Sequence, residues 1–280
     1  MRKLISYVVA LLIMFDSVVL IASAALQLTL RRESFYQQKF GTDAYISACV
    51  SDIRQGVADE GAAAGLPANA VQGAVERGEV AQSIGKQAKA EFTYINGGAA
   101  SVGAVMPPDA FSQRLDAQIH SYAQKQGITI SAQTQKAIDA YIGRCRSVYS
   151  RALLQIPYFN AAAGILRKLL SAVRVLALAA AVLLLALIGA CLAVRRGNRY
   201  AQLHYPVWGI LSGGALTILF SLLPLCFRLP YRLNLSSRAA VILAGNLIAG
   251  PISLSLAIGL SVFAAAAVLL VPMSRLRTAG

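Results

Sequence analysis

The sequence predicts an all-α protein: a four-helix transmembrane protein with a large helical extracytoplasmic domain between the first and second spans. Two observations predict it. Of 280 residues, 57% are hydrophobic and only 14% charged, with a mean hydropathy of +0.59, far above the apolar share a soluble fold can bury. The excess is concentrated in long uncharged runs, whereas the segment between the first two runs repeats its apolar positions every three or four residues, the helical period. The same composition excludes disordered and collagen-like chains. Four cysteines are too few to frame a disulfide scaffold of this length.

Crossing a hydrocarbon core of about 30 Å takes about 20 helical residues. Leu4 to Leu30, Val175 to Val194 and Val207 to Phe227 meet that length. The run from Ala239 to Met273 is too long for one perpendicular span and is interrupted by Pro251, which predicts a fourth span from Pro251 to Val271. The preceding 236–250 then reads as a short helix lying in the membrane interface, capped by Ser236 or Ser237, with a re-entrant hairpin as the alternative. The expected organisation is therefore 1–30, first span; 31–168, helical domain; 169–196, second span; 197–228, inner loop and third span; 229–250, outer loop and interfacial helix; 251–280, fourth span and tail.

Arg2 and Lys3 ahead of the first span resemble the start of a secretory signal, and Ala22 to Ala24 a cleavage site. The length of the apolar run and Asp16 within it favour an uncleaved signal anchor. Orientation follows from basic residues in the short connections. Arg2, Lys3, Arg195, Arg196, Arg199, Arg275 and Arg277 outnumber Arg228, Arg232 and Arg238, which predicts a cell-membrane protein with both termini cytoplasmic. Counting the flanks of the large loop reverses the majority, so the basic N-terminus beside the first span decides. Basic residues at helix ends meet anionic headgroups. The net charge of +14 thus points to the lipid bilayer as partner and not to nucleic acid.

Within the large loop, four apolar stripes predict four packed helices: Tyr45, Cys49, Val50, Ile53 and Val57; Val80, Ile84, Ala88 and Phe92; Phe111, Leu115, Ile119 and Tyr122; and Ile138, Ile142, Cys145, Tyr149 and Leu153. Pro107, Pro108 and Asp109 suit the start of the third, and Ser131 or Thr134 the cap of the fourth. Cys49 and Cys145 are the only cysteines here. Two readings stand: a disulfide joining the first and last helices, or two separate buried thiols.

The search for chemistry returns little. His120 and His204 are the only histidines and fall on opposite sides of the expected membrane, leaving no His-based triad or multi-histidine metal site. There is no Walker or dinucleotide fingerprint, and the loop carboxylates read as a solvated surface. No enzyme, metal or cofactor is expected. In the spans, Gly209 and Gly213, together with Ser253, Ala257 and Ser261, are read as helix-packing positions inside the protein's own bundle, an oligomer interface being the other reading. Asp16 is the single acid in a span. An ionised carboxylate there costs roughly 2.5 to 3.5 kcal/mol, so it either clamps helices through a polar partner (Ser17, Asn246, Ser253, Ser255 or Ser261) or carries a proton or ion.

The layout, with "GLP" at Gly65 to Pro67 followed by "VQGAVERGEV" to Val80, resembles multi-pass membrane proteins of Gram-positive bacteria that carry no assigned activity. A second resemblance, to FtsX-like permeases, lies in the large domain between the first two of four spans. It departs from them in lacking an amphipathic segment before the first span and in the short inner loop "RRGNRYAQLHYP". The expected function is a non-enzymatic membrane protein whose outer helical domain binds or senses a cell-surface partner. The alternative is the transmembrane subunit of an ABC-type transport or signalling complex.

Overall fold

The computed structural model describes residues 2–103, 105–153, 159–194, 199–235 and 237–278, and these are helical with no strand among them. They divide into two units, one of residues 33–166 with 233–244, the other of residues 1–32, 167–232 and 245–280.

In the first unit, α2 (Glu33–Phe40), α3 (Asp43–Ala63), α4 (Arg77–Ile95), α5 (Asp109–Lys125) and α6 (Ala132–Leu153) pack around a core dominated by aromatic side chains. The apolar stripes turn inward as their period requires: Tyr45, Cys49, Ile53, Val57, Val80, Phe111 and Leu115 are all fully buried. Phe111 lies 5.2 Å from the Tyr149 ring, and Tyr36 makes ring contacts with Phe35, Phe40 and Phe92. Helices α3 and α6 run antiparallel, with Glu60 bonded to Arg144 at 3.0 Å and Gly56 against Val148, and Tyr141 Oη donates to the Val57 carbonyl at 3.0 Å. Ser131 caps α6 by accepting the Thr134 N–H. Both α3 and α5 end in reverse-bonded turns, Leu66 to Gly61 and Ile128 to Ala123, that require positive φ at Gly65 and Gly127. The glycine-rich connector after α4 keeps Val102 buried and offers the Val105 carbonyl to Ser150. A connection running from residue 153 through Pro157 into the next helix lies outside the described residues.

Four helices are long and apolar enough to cross a membrane, the mark of a multi-pass membrane protein: α1 (Arg2–Leu30), α7 (Phe159–Val194), α8 (Arg199–Cys226) and α9 (Arg238–Thr278), and the other unit holds all of them but the first turns of α7 and α9. Helices α1 and α8 are parallel, since Tyr7 meets Tyr205 while positions 209 and 213 abut Ala10–Ile13 and Met14–Ser17 in turn. Gln27 near the end of α1 donates to the Leu170 carbonyl near the start of α7, and Gln202 at the start of α8 donates to Leu192 near the end of α7. Helix α7 is therefore antiparallel to both. Gly214 lies against Phe263, and Val207 packs with Ala266, so α9 opposes α8 as well.

Two expectations are corrected here. The segment 236–250 is not a separate interfacial helix: α9 is continuous through Pro251 and Pro272, and 41 residues make it about 60 Å long. Proline removes one backbone bond, at the Leu247 carbonyl, and an apolar helix accommodates an isolated proline even beside Gly250. Its N-cap is Ser237, whose Oγ accepts from the Ala240 N–H, while Ser236 lies outside the described residues. Likewise α7 and α8 extend past the expected span limits, α8 continuing through Pro206. From Tyr205 to its end α8 covers about 30 Å, with Tyr7, Tyr205 and Trp208 at one end and Phe227 and Tyr231 at the other, spaced like the aromatic belts at two membrane surfaces.

Candidate functional site

The helical domain carries an open cleft of about 430 Å³ lined by Ser47, Val50, Ser51, Arg54, Gln55, Gln72 and Arg77. Its floor follows from helical spacing. Positions 47, 51, 54 and 55 fall on one face of α3, opposite the stripe of Tyr45, Cys49 and Ile53 that enters the core. The other wall is the short turn holding Gln72 and the first residue of α4, Arg77. Both arginines are positioned by local bonds. Arg54 Nη2 donates to the Val75 carbonyl at 3.1 Å. Arg77 donates from Nη1 to Ser47 Oγ and from Nη2 to Asp43 Oδ1, each at 2.7 Å. None of the lining residues is acidic. Close by, Arg114 grips Glu79 with two nitrogens and also reaches Glu76 and the Ala74 carbonyl, which fixes the turn between α3 and α4.

The carboxylates of this domain are not all solvated, which corrects the sequence-based expectation. Glu91 on α4 is 2% exposed, and its Oε1 accepts from Gln87 Nε2 at 3.0 Å. Burial pushes its carboxyl up to about 8, with the Gln87 bond opposing the shift. Glu91 Oε2 and Gln87 Oε1 have no hydrogen-bond partner, and Tyr36 and Tyr45 lie within electrostatic reach. Sequence reasoning missed this pair because Gln87 and Glu91 flank Ala88, a stripe residue, and a polar pair four apart reads as a solvated rim.

In the structure Cys49 and Cys145 are both buried as thiols and are not joined to each other. Each is paired within its own helix, Cys49 with Tyr45 and Cys145 with Tyr141, and burial pushes them up to about 12 and about 11. Cys49 lies within electrostatic reach of Tyr149, so Cys145 sits about one helical turn of α6 away from its level. His120 sits on α5 beside Asp116, with Nδ1 3.0 Å from the Asp116 carbonyl oxygen, and His204 stacks on Tyr200. Among the described residues no cluster of three or more His, Cys, Asp or Glu has metal-binding geometry.

In the spans, Gly209 and Gly213 face α1. A Cβ at Gly209 would stand 2.7 Å from the Ala10 carbonyl oxygen, and one at Gly213 2.7 Å from Ser17 Cβ and 2.9 Å from the Met14 carbonyl oxygen. Ser253, Ala257 and Ser261 are corrected: they lie on the exposed side of α9, with Ser253 and Ser261 bonded to their own helix at Gly250 and Ala257, while Gly259 and Ala266 make the contact with α8. Asp16 is 8% exposed, and its Oδ2 and the neighbouring Ser17 Oγ have no hydrogen-bond partner. It shares a stripe with Ser23 and Gln27, which the Gln27–Leu170 bond directs at α7, and the antiparallel register brings Ala180 level with it. Asn246, one expected clamp partner, accepts instead from Tyr231 Oη at 3.0 Å.

No family model, no curated protein and no solved structure matches the chain.

Proposed function

We propose that this is a non-enzymatic membrane protein of the bacterial cell membrane, with both termini cytoplasmic, whose extracytoplasmic helical domain binds or senses a partner at the cell surface. The observation that carries the reading is the polar cleft of α3 and α4. It holds two anchored guanidinium groups, two hydroxyls and two amides, a set suited to recognition, without a nucleophile–base pair among its lining residues. The domain's closed aromatic core supplies a rigid frame for such a surface.

The test uses intact cells expressing the full chain with its native cysteines removed. A cysteine at Ser101 reacts with an impermeant thiol reagent and one at Asn198 does not; the reversed pattern overturns the orientation. A photoreactive residue at Gln55 crosslinks a surface component that the same residue at Lys125 does not capture. Stoichiometric co-purification of an ATPase, with no crosslink from Gln55, replaces this reading with a transport-complex subunit.

A further inference from the structure

The structure assigns the cleft between α3 and the start of α4 as a phosphoryl-binding site, with Arg54 and Arg77 as the anion ligands and Ser51 and Gln72 as neutral donors. This deepens the proposed function by naming the class of group the domain recognises, and rests on it only for the side of the membrane involved.

Four features carry the assignment. First, the lining combines two permanent cations with no acid, so the cleft is cationic at every physiological pH. Second, neither guanidinium is consumed by its anchor. Arg54 spends one nitrogen on the Val75 carbonyl, a neutral group that orients the fork without neutralising it. Arg77 spends its two terminal nitrogens on Ser47 and on Asp43, whose side chain is 94% exposed, a screened pair that a doubly charged anion displaces readily. Third, Ser47, Ser51 and Arg54 are spaced by four and three on α3, so hydroxyl and guanidinium donors point the same way, while Gln72 and Arg77 approach from the facing wall. Fourth, a volume of about 430 Å³ accommodates a phosphorylated small molecule or one headgroup. Two forks on opposite walls match the several oxygens of a tetrahedral dianion better than the two coplanar oxygens of one carboxylate. Such a group occurs both in soluble phosphate esters and in lipid headgroups, and the experiment separates these sources.

Purified full-length protein is reconstituted in phosphatidylcholine nanodiscs and titrated with pyrophosphate, inorganic phosphate and acetate, following the thermal midpoint of the helical signal. Pyrophosphate raises the midpoint saturably, and acetate at equal ionic strength does not. Arg54→Gln and Arg77→Gln each weaken pyrophosphate at least tenfold, whereas Arg151→Gln on α6 leaves it unchanged. Should Arg54→Gln lose its helical signal, Arg77→Gln and Ser51→Ala carry the test, because their side chains hold no backbone carbonyl in place. Repeating the titration in discs containing phosphatidate identifies the source: weakened pyrophosphate binding means that the lipid headgroup occupies the site, and unchanged binding means a soluble phosphate ester. Absence of a saturable shift, an equal response to acetate, or full binding in both arginine variants overturns the assignment. These results are independent of the cell-labelling pattern, so failure of the site and failure of the orientation are told apart.

Discussion

The two units solve opposite problems with the same secondary structure. In residues 33–166 the helices turn Phe111, Tyr141, Tyr149 and Leu115 inward and surround them with ion pairs such as Arg77–Asp43 and Arg144–Glu60. In α1, α7, α8 and α9 only 11 to 28% of each most apolar window is buried, and Phe220, Leu185 and Val268 face outward. Inside the second unit, a few apolar side chains such as Ile13 and Leu170 are joined by many small or polar residues: Gly209, Gly213, Gly259, Ser17, Thr217 and Ser221. A helix bundle in lipid gains nothing by hiding leucine, so close backbone approach and interhelical bonds replace apolar burial as the source of cohesion.

This contrast sets the order of mutational effects. Phe111→Ala removes a fully buried ring and should cost about 3 to 5 kcal/mol in unfolding of the helical domain, whereas Phe220→Ala, 58% exposed, should leave the melting of detergent-solubilised protein nearly unmoved. Equal losses at the two sites would erase the distinction between the units. Gly213→Ile should act in the opposite sense to Phe111→Ala, by overfilling. The backbone of α1 stands where its side chain would go, at a cost of about 1 to 3 kcal/mol, read as separation of crosslinkable cysteines placed at Tyr7 and Tyr205. Unchanged crosslinking would show that the α1–α8 seam is not close-packed.

Glu91 gives the helical domain a pH dependence. Its folded carboxyl titrates near 8 and its unfolded one near 4.5, so between those values the folded state holds the extra proton. Stability from this group is full below about pH 4.5 and is lost as pH rises toward 8, at about 1.4 kcal/mol per pH unit. Denaturant melts at pH 6 and pH 7 should therefore differ in wild type and converge in Glu91→Gln. A slope that survives the substitution would transfer it to another group. The smallest effect is expected at Asp16. Because its Oδ2 holds no partner, Asp16→Leu should shift the bundle's melting by under about 0.6 kcal/mol, below the usual interhelical hydrogen bond. A larger loss would restore the clamp.

Much of this contrast is legible in the sequence, for physical reasons. Spans and stripes are periodic signals, and most inward residues of α3, α5 and α6 were those at helical spacing, although Tyr141 and Ala123 turn inward where Ile142 and Tyr122 were expected. Helix α2 escaped because eight residues with only three apolar side chains show too little periodicity, although those three, Phe35, Tyr36 and Phe40, are buried. The direction of a small-residue stripe is equally hidden. Gly209 and Gly213 meet α1 while Ser253, Ala257 and Ser261 face outward, and nothing local distinguishes the two patterns, since the answer depends on which helix arrives beside them. The cleft was overlooked for a related reason: Arg54 and Arg77 lie on separate elements and converge only when the turn between α3 and α4 is folded.

The parallel pairing of α1 with α8 has a consequence in time. The chain must emit residues 31–198 between them, which at about 5 to 20 residues per second takes roughly 10 to 30 seconds. During that interval the groove on α1 formed by Ala10, Ile13, Met14 and Ser17 has no Gly209 or Gly213 to fill it. The α8-facing side of the first helix therefore waits uncovered while a whole domain and α7 are made, and any factor that shelters a nascent span has its longest task here.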